Sequence, residues 1–171
     1  MFFIEDNKFL TKKQKNKIEK MLGGEQLPFY IAPCSTTEGT NDVSFVHHVI
    51  HREYPDEDNS DLKDFFVELL DTFCKKHKIT YTKIHRCAIN TTFNTGVEKC
   101  GIHTDHDFPH NQLIIYLNEA ENGDTVILDK EKKPFKVVKP ERFKGICFQN
   151  TSHYHYFPTK GIRIVSVVTF S

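Results

Sequence analysis

The sequence has no excess of either charge: 23 lysines and arginines face 23 aspartates and glutamates. That balance removes any general attraction to nucleic acid or to an acidic membrane surface. It also has no Cys-x-x-Cys pair. The cysteines (Cys34, Cys74, Cys87, Cys100 and Cys147) are scattered and odd in number, which argues against a zinc ribbon or a thioredoxin motif. Unpaired thiols suit a reducing compartment, so a cytoplasmic setting is expected. No apolar run is long enough to span a bilayer. The opening MFFIEDNKFL has neither the basic n-region nor the long apolar stretch of a signal peptide. Internal repeats and low-complexity linkers are missing too, and 171 residues suit one domain, 1–171, with a substantial core.

Two helices are expected. Residues 11–22 form a short, mostly polar one, with Thr11 as N-cap and Gly23-Gly24 as its stop. From about Ser60 to Lys76, Leu62, Phe65, Phe66, Leu69, Leu70, Phe73 and Cys74 recur at spacings of three and four and paint one apolar stripe. Asp61 and Asp64 at its start, and Lys75, Lys76 and His77 at its end, suit the helix dipole. Residues 28–33 and 43–50 have strand composition, and 34–42 reads as a loop. After His77 the texture becomes β-rich, with short runs at 79–93, 100–105, 112–117, 124–129, 134–138, 143–149 and 162–170. Region 1–78 is thus expected to support a β core in 79–171. The class is α+β, mainly β, with the N-terminal helices packed on one sheet. Many short strands at near-regular spacing suggest a sandwich or barrel. A cupin-like jelly roll is one solution, which periodicity alone does not select.

The sharpest local feature is His103-Thr104-Asp105. On a strand, alternate side chains share a face, so this triplet would set an imidazole beside a carboxylate as two neighbouring metal ligands. Two histidines and one carboxylate leave half of an octahedron open, the arrangement of non-haem iron(II) oxygenases. His-x-Asp alone is a weak signal, because histidine has many other uses. The third ligand must come from elsewhere, and His153 and His155 share strand parity. Arg163 follows amid Ile162, Ile164, Val165, Val167 and Val168. If buried, its guanidinium needs an anionic partner, which a dicarboxylate would supply through two-pronged hydrogen bonds. Alternation alone equally allows it the solvent face of an edge strand.

Taken together, His103-Thr104-Asp105, His153 and Arg163 resemble the signature of the 2-oxoglutarate/Fe(II) dioxygenase superfamily. The chain is most similar to its prolyl-hydroxylase-like branch, small phage-encoded members included, over roughly residues 80–171. Leu113-Ile114-Ile115-Tyr116-Leu117-Asn118 resembles that branch's Leu-Ile-Tyr-Leu-Asn strand. Gly123-Asp124-Thr125 resembles its Gly-Gly-x-Thr turn, and Val137-Val138-Lys139-Pro140 its Val-x-Pro stretch. The resemblance implies a double-stranded β-helix with Fe(II) held by His103, Asp105 and His153. It favours His153 over His155 by the spacing to Arg163. It implies 2-oxoglutarate bound through Arg163, with Tyr116, Asn90, Thr92 and Thr125 as further co-substrate contacts. Thr92 departs from the family pattern, in which a tyrosine is common at that place. O2 would be the oxidant, with ascorbate as an optional reductant, and oxidative decarboxylation would be coupled to hydroxylation of a C–H bond. A peptide or protein side chain such as proline is the first substrate expected, and a virus-encoded chain would act in its host's cytoplasm.

Other readings stand beside this one. The substrate is alternatively a nucleobase or a free small metabolite, or the chain is a non-catalytic, cupin-like metal-binding module. The neutral charge argues against nucleic acid. So does the lack of a second arginine between Ile164 and Ser171, which repair demethylases of the superfamily carry. His47, His48 and His51 read as a half-exposed strand and loop rather than a second metal site. His106, Asp107 and His110 are placed at the entrance of the site, where substrate contact and simple solvation are equally open. Cys100 and Cys147 read as packed thiols.

Overall fold

The structure, a computed structural model, describes residues 2–24, 27–33, 36, 42–57 and 60–171. Most of the 34–42 loop, Cys34 included, lies outside the described residues, as do residues 58 and 59 of the 51–60 loop.

A seven-stranded antiparallel sheet dominates the molecule. Its order is β1 (Phe3–Asp6), β9 (Gly145–Gln149), β5 (Asn111–Tyr116), β12 (Ile162–Phe170), β4 (Ile84–Phe93), β3 (Ser44–Ile50) and β2 (Tyr30–Ala32). A three-stranded sheet, β10 (His153–His155), β7 (Thr125–Leu128) and β8 (Pro134–Val138), lies against it. A short pair, β11 (Pro158–Lys160) with β6 (Glu121–Asn122), completes the described strands. Two helices, α1 (Lys12–Gly23) and α2 (Lys63–His77), cover the outer face of the large sheet. This is the mainly β, helix-backed architecture expected from the order of elements.

Side-chain alternation divides the large sheet. From β5, Leu113 and Ile115 face the helices, as do Ile164 and Val168 from β12. They bury against Phe66, Leu69, Leu70 and Phe73 of α2. Ile114, Tyr116, Val165 and Val167 point the other way. There they meet Ile127 of β7 and Val138 of β8. Both faces of β5 and β12 are therefore covered, which explains why these strands read as nearly continuous apolar runs.

The helix ends follow from local chemistry. Thr11 caps α1: its hydroxyl accepts the Gln14 N–H at 3.2 Å, and the Gln14 side chain accepts the Thr11 N–H at 2.9 Å. α2 starts at Lys63, later than the apolar stripe suggests. Ser60 holds the approach as a turn, its hydroxyl accepting the Leu62 N–H at 3.1 Å and its carbonyl the Lys63 N–H at 3.1 Å. At the other end Lys78 adopts a left-handed conformation, φ 56°, and its N–H closes onto Cys74 and Lys75.

Two expectations about strands are corrected. Residues 100–105 are not a strand, because their one bridge is the isolated His103–His153 pair, with another isolated bridge just before them at Lys99–Tyr156. The Gly101 N–H turns away to the Thr36 hydroxyl at 3.2 Å rather than joining a ladder. In the 79–93 run the strand begins only at Ile84. Before it, the N–H groups of Thr82 and Lys83 both donate to the Ser171 carbonyl, at 2.7 and 2.9 Å. β1, β6, β10 and β11 carry no strand pattern of their own in the sequence.

Leu69 is fully buried between α2 and the sheet. Leu69→Ala is expected to cost about 2–5 kcal/mol of stability, read as a lowered denaturant midpoint with the slope unchanged.

Candidate metal centre and co-substrate pocket

The inward faces of β4, β12 and β5 and the ends of β7 and β10 enclose a cavity of about 310 Å³. Most of its wall is set by strand parity. Arg86, Asn90 and Thr92 of β4 point into it, as do Arg163, Val165 and Val167 of β12 and Gln112 and Ile114 of β5.

His103, Asp105 and His153 meet at this cavity. One ligand atom from each lies within 4.8 Å of the others, the single such group among the described residues. The bridge between the 100–105 segment and β10 makes the meeting, with His103 N–H donating to His153 C=O at 3.0 Å and His153 N–H to His103 C=O at 2.9 Å. Both imidazoles are oriented by backbone carbonyls. Nδ1 of His103 lies 2.9 Å from Gly101 O, and Nδ1 of His153 lies 3.0 Å from Thr151 O. With the Nδ1 protons donated there, Nε2 is the unprotonated nitrogen of each ring and the one that could ligate a metal.

Asp105 divides its two oxygens. Oδ1 accepts from Arg86 Nη1 at 3.2 Å. Oδ2 is buried, makes no hydrogen bond and lies 3.6 Å from His153 Nε2. Burial pushes the Asp105 carboxyl up, but His153, Arg86 and His103 outweigh it and hold the group below its ordinary value. Burial, with His103 nearby, pushes His153 down to about 4. An ionised carboxylate with a free oxygen beside two imidazoles is the donor set that a divalent metal requires. These residues fit Fe(II).

Arg163 lies at the other end of the cavity, with 3% of its surface exposed. β12 is flanked by β4 and β5, so it is a central strand, and the solvent-facing alternative for Arg163 is excluded. Its Nε donates to Gly123 O at 2.8 Å and its Nη2 to Thr125 Oγ1 at 3.0 Å. Both partners are neutral, and the guanidinium has no carboxylate partner among the described residues. Gly123 has φ +86°, and a Cβ there would come within 3.0 Å of Arg163 Cδ. Only glycine suits both the turn and the close approach of the arginine.

The remaining expected co-substrate residues divide into two groups. Asn90, Thr92 and Thr125 are on the cavity wall, and the Thr92 hydroxyl is buried without a partner. Tyr116 is fully buried behind that wall. Its hydroxyl donates to Thr125 Oγ1 at 2.7 Å, and its ring lies 5.6 Å from Arg163 Cζ. It buttresses Thr125 and Arg163.

The other histidines lie as follows. His155 is on the cavity wall but outside the metal-ligating group. His47 is tied up, with Nδ1 2.7 Å from Pro28 O and Nε2 2.7 Å from Ser60 Oγ. His48 lines the cavity beside the exposed Arg52, and its ring lies 4.7 Å from that of His51. His106 and His110 are not at the cavity. His106 Nε2 lies 2.8 Å from Thr169 Oγ1, and Phe108 stacks on the His106 ring and meets the His110 ring edge-on. Sequence reasoning missed Arg86 as the partner of Asp105, although Arg86 and Asn90, four residues apart, share strand parity and so the inward face. It also missed Gln112, whose amide nitrogen lies 3.4 Å from His153 Nε2. Nothing in its surroundings in the sequence marks it.

Comparison with solved structures gives the fold a wider setting. A 2OG-Fe(II) oxygenase family oxidoreductase from Burkholderia pseudomallei superposes with a TM-score of 0.80 at 17% identity, over 99% of this chain and 84% of that one. A Trichoplax adhaerens prolyl hydroxylase, solved with a hypoxia-inducible-factor oxygen degradation domain peptide, gives 0.68 at 15% identity, over 98% and 82%. A Pseudomonas putida prolyl-4-hydroxylase gives 0.59 at 13%, over 98% and 91%. No protein-family model matches the sequence, and no curated protein does. The chain thus shares the fold of 2OG-Fe(II) oxygenases, prolyl hydroxylases among them.

If the three residues are the metal ligands, His103→Ala, Asp105→Ala and His153→Ala should each abolish stoichiometric Fe(II) binding. Metal analysis after anaerobic desalting reads this, with circular dichroism checking the fold. Stoichiometric iron retained by Asp105→Ala would remove it from the ligand set.

Proposed function

We propose that this chain is a non-haem Fe(II) dioxygenase that decarboxylates 2-oxoglutarate and hydroxylates a C–H bond of a second substrate. The observation that carries this reading is the pairing, in one cavity, of an open His-Asp-His donor set with a buried guanidinium whose partners are neutral. Among the described residues no carboxylate forms an ion pair with it, and a dicarboxylate that also chelates the metal would satisfy both ends at once.

When bound, Fe(II) with 2-oxoglutarate and O2 supplies the oxidising chemistry, and the protein supplies binding and orientation. His103, Asp105 and His153 would hold the metal and, as three ligands, would leave positions open for the co-substrate and O2. Arg86 holds one oxygen of Asp105, so the other stays available to a metal. Arg163, braced by Gly123, Thr125 and Tyr116, takes the distal carboxylate. Asn90 and Thr92 offer polar atoms along the wall between. Val165, Val167 and Ile114 keep that stretch apolar and exclude water, which strengthens each polar contact.

A peptide or protein side chain, such as proline, is the substrate class proposed. One of the related structures is a prolyl hydroxylase holding a peptide, and Ala32 of the edge strand β2 lines the cavity, next to Tyr30 and Ile31, which are 64% and 68% exposed. The buried, unpaired thiols of Cys74, Cys87, Cys100 and Cys147 support a reducing, cytoplasmic setting. No helix among the described residues is long and apolar enough to cross a membrane.

The test follows O2-dependent conversion of 2-oxoglutarate to succinate by the iron-loaded protein. Arg163→Lys should keep turnover with a raised KM, since lysine retains the charge but not the fork. Arg163→Leu would strand a carboxylate without its partner, at a cost of about 2–5 kcal/mol. That is a loss of affinity for 2-oxoglutarate of about thirty-fold to several-thousand-fold. An unchanged affinity in Arg163→Leu would mean that the dicarboxylate is held elsewhere or is not the co-substrate.

A further inference from the structure

Resting on the reading above, we infer that His155 is a second co-substrate ligand: its Nε2–H donates a hydrogen bond to the distal carboxylate that Arg163 holds. The position of His155 follows from strand register. In the β10–β7 ladder His155 is opposite Thr125, whereas His153 is opposite Ile127. Thr125 is the residue whose hydroxyl accepts from Arg163. His155 therefore lies one inward-facing step from the metal ligand His153, displaced toward the arginine. Directly opposed residues of an antiparallel pair have Cβ atoms about 4.5–5.5 Å apart, which places the imidazole beside the Thr125–Arg163 contact.

Its hydrogen bonds decide which nitrogen carries the proton. Nδ1 lies 3.1 Å from Cys100 Sγ. The same sulfur accepts the backbone N–H of His155 at 3.2 Å, and burial pushes the thiol up to about 11, which keeps its proton on and available to donate. The S–H of Cys100 then has Nδ1 as its acceptor. In a neutral imidazole whose Nδ1 accepts, Nε2 must be the protonated nitrogen. That Nε2 is buried, borders the cavity and has no partner among the described residues. An unmet buried donor is costly, and the dicarboxylate's distal end would meet it. Cys100 and His155 thus act as a pair, the thiol fixing the tautomer and the imidazole presenting the proton.

The test uses iron-loaded protein without oxygen and measures dissociation constants by calorimetry for two ligands. One is 2-oxoglutarate. The other is 2-oxovalerate, which keeps the chelating 2-oxo acid and carries a methyl group in place of the distal carboxylate. His155→Leu should bind 2-oxoglutarate about tenfold or more weakly, the worth of one hydrogen bond to a charged group. Its affinity for 2-oxovalerate should stay within about twofold of wild type, and its iron content should be unchanged. His155→Gln, which keeps an N–H donor, should recover most of the loss. Equal weakening toward both ligands would reveal a packing role and overturn the inference. So would unchanged affinity for 2-oxoglutarate, or loss of iron, which would make His155 a metal ligand. If the wild-type protein binds no 2-oxoglutarate, the proposed function itself fails and the inference falls with it. A wild type that binds while His155→Leu binds equally well overturns the inference alone.

Discussion

The site depends on one backbone contact, the reciprocal hydrogen bonds between His103 and His153. They join the irregular 99–105 segment to β10 and set the two imidazoles 4.4 Å apart, centroid to centroid. Without that bridge the chain has an imidazole and a carboxylate on one loop and a second imidazole far along the sequence. With it, the three donor groups converge before any metal arrives. Closing so long a loop costs conformational entropy. The cost is offset by the buried sheets on either side, in which β12 and β5 are covered on both faces.

The same inward face carries the rest of the chemistry. β12 contributes Arg163 at one end of the cavity and Val165 and Val167 along it, and β4 contributes Arg86 beside Asp105. A one-residue slip of either strand would turn these side chains out toward the helices. The helices guard against such a slip, since Ile89, Ile164 and Val168 are held on the opposite face by the aromatic residues of α2. Structural packing on one side of the sheet and binding on the other are therefore set by the same register. Two arginines have complementary duties within it. Arg86 has a carboxylate partner and orients it; Arg163 has neutral hydrogen-bond partners, which in the proposed reading leaves its charge for the dicarboxylate.

How much of this was legible in the sequence follows from the range of each signal. The apolar stripe of α2 and the Thr11 capping box are local patterns, and both elements form where expected, apart from the late start of α2 imposed by Ser60. The strands with alternating or continuous apolar residues were legible too, and Arg163 was marked by its apolar neighbours. What remained hidden is tertiary. The 100–105 segment has strand-like composition, but its Gly101 amide is diverted to Thr36, so the triplet's geometry comes from one bridge and a bend. β1 joins the sheet only by pairing with β9. Between His153 and His155 parity is silent, and the β10–β7 register separates them by setting one opposite Ile127 and the other opposite Thr125. Tyr116, expected as a co-substrate contact, donates its hydroxyl proton to Thr125, a tertiary contact that the sequence does not show.

The central claim is that one cavity holds Fe(II) and a chelating 2-oxo dicarboxylate together. The most direct measurement is the visible absorption spectrum of the oxygen-free protein on addition of Fe(II) and then 2-oxoglutarate. The account predicts a weak charge-transfer band that needs both components, saturates at one equivalent of each and is missing from the Asp105→Ala protein. A protein that takes up Fe(II) but develops no band at saturating 2-oxoglutarate would contradict it.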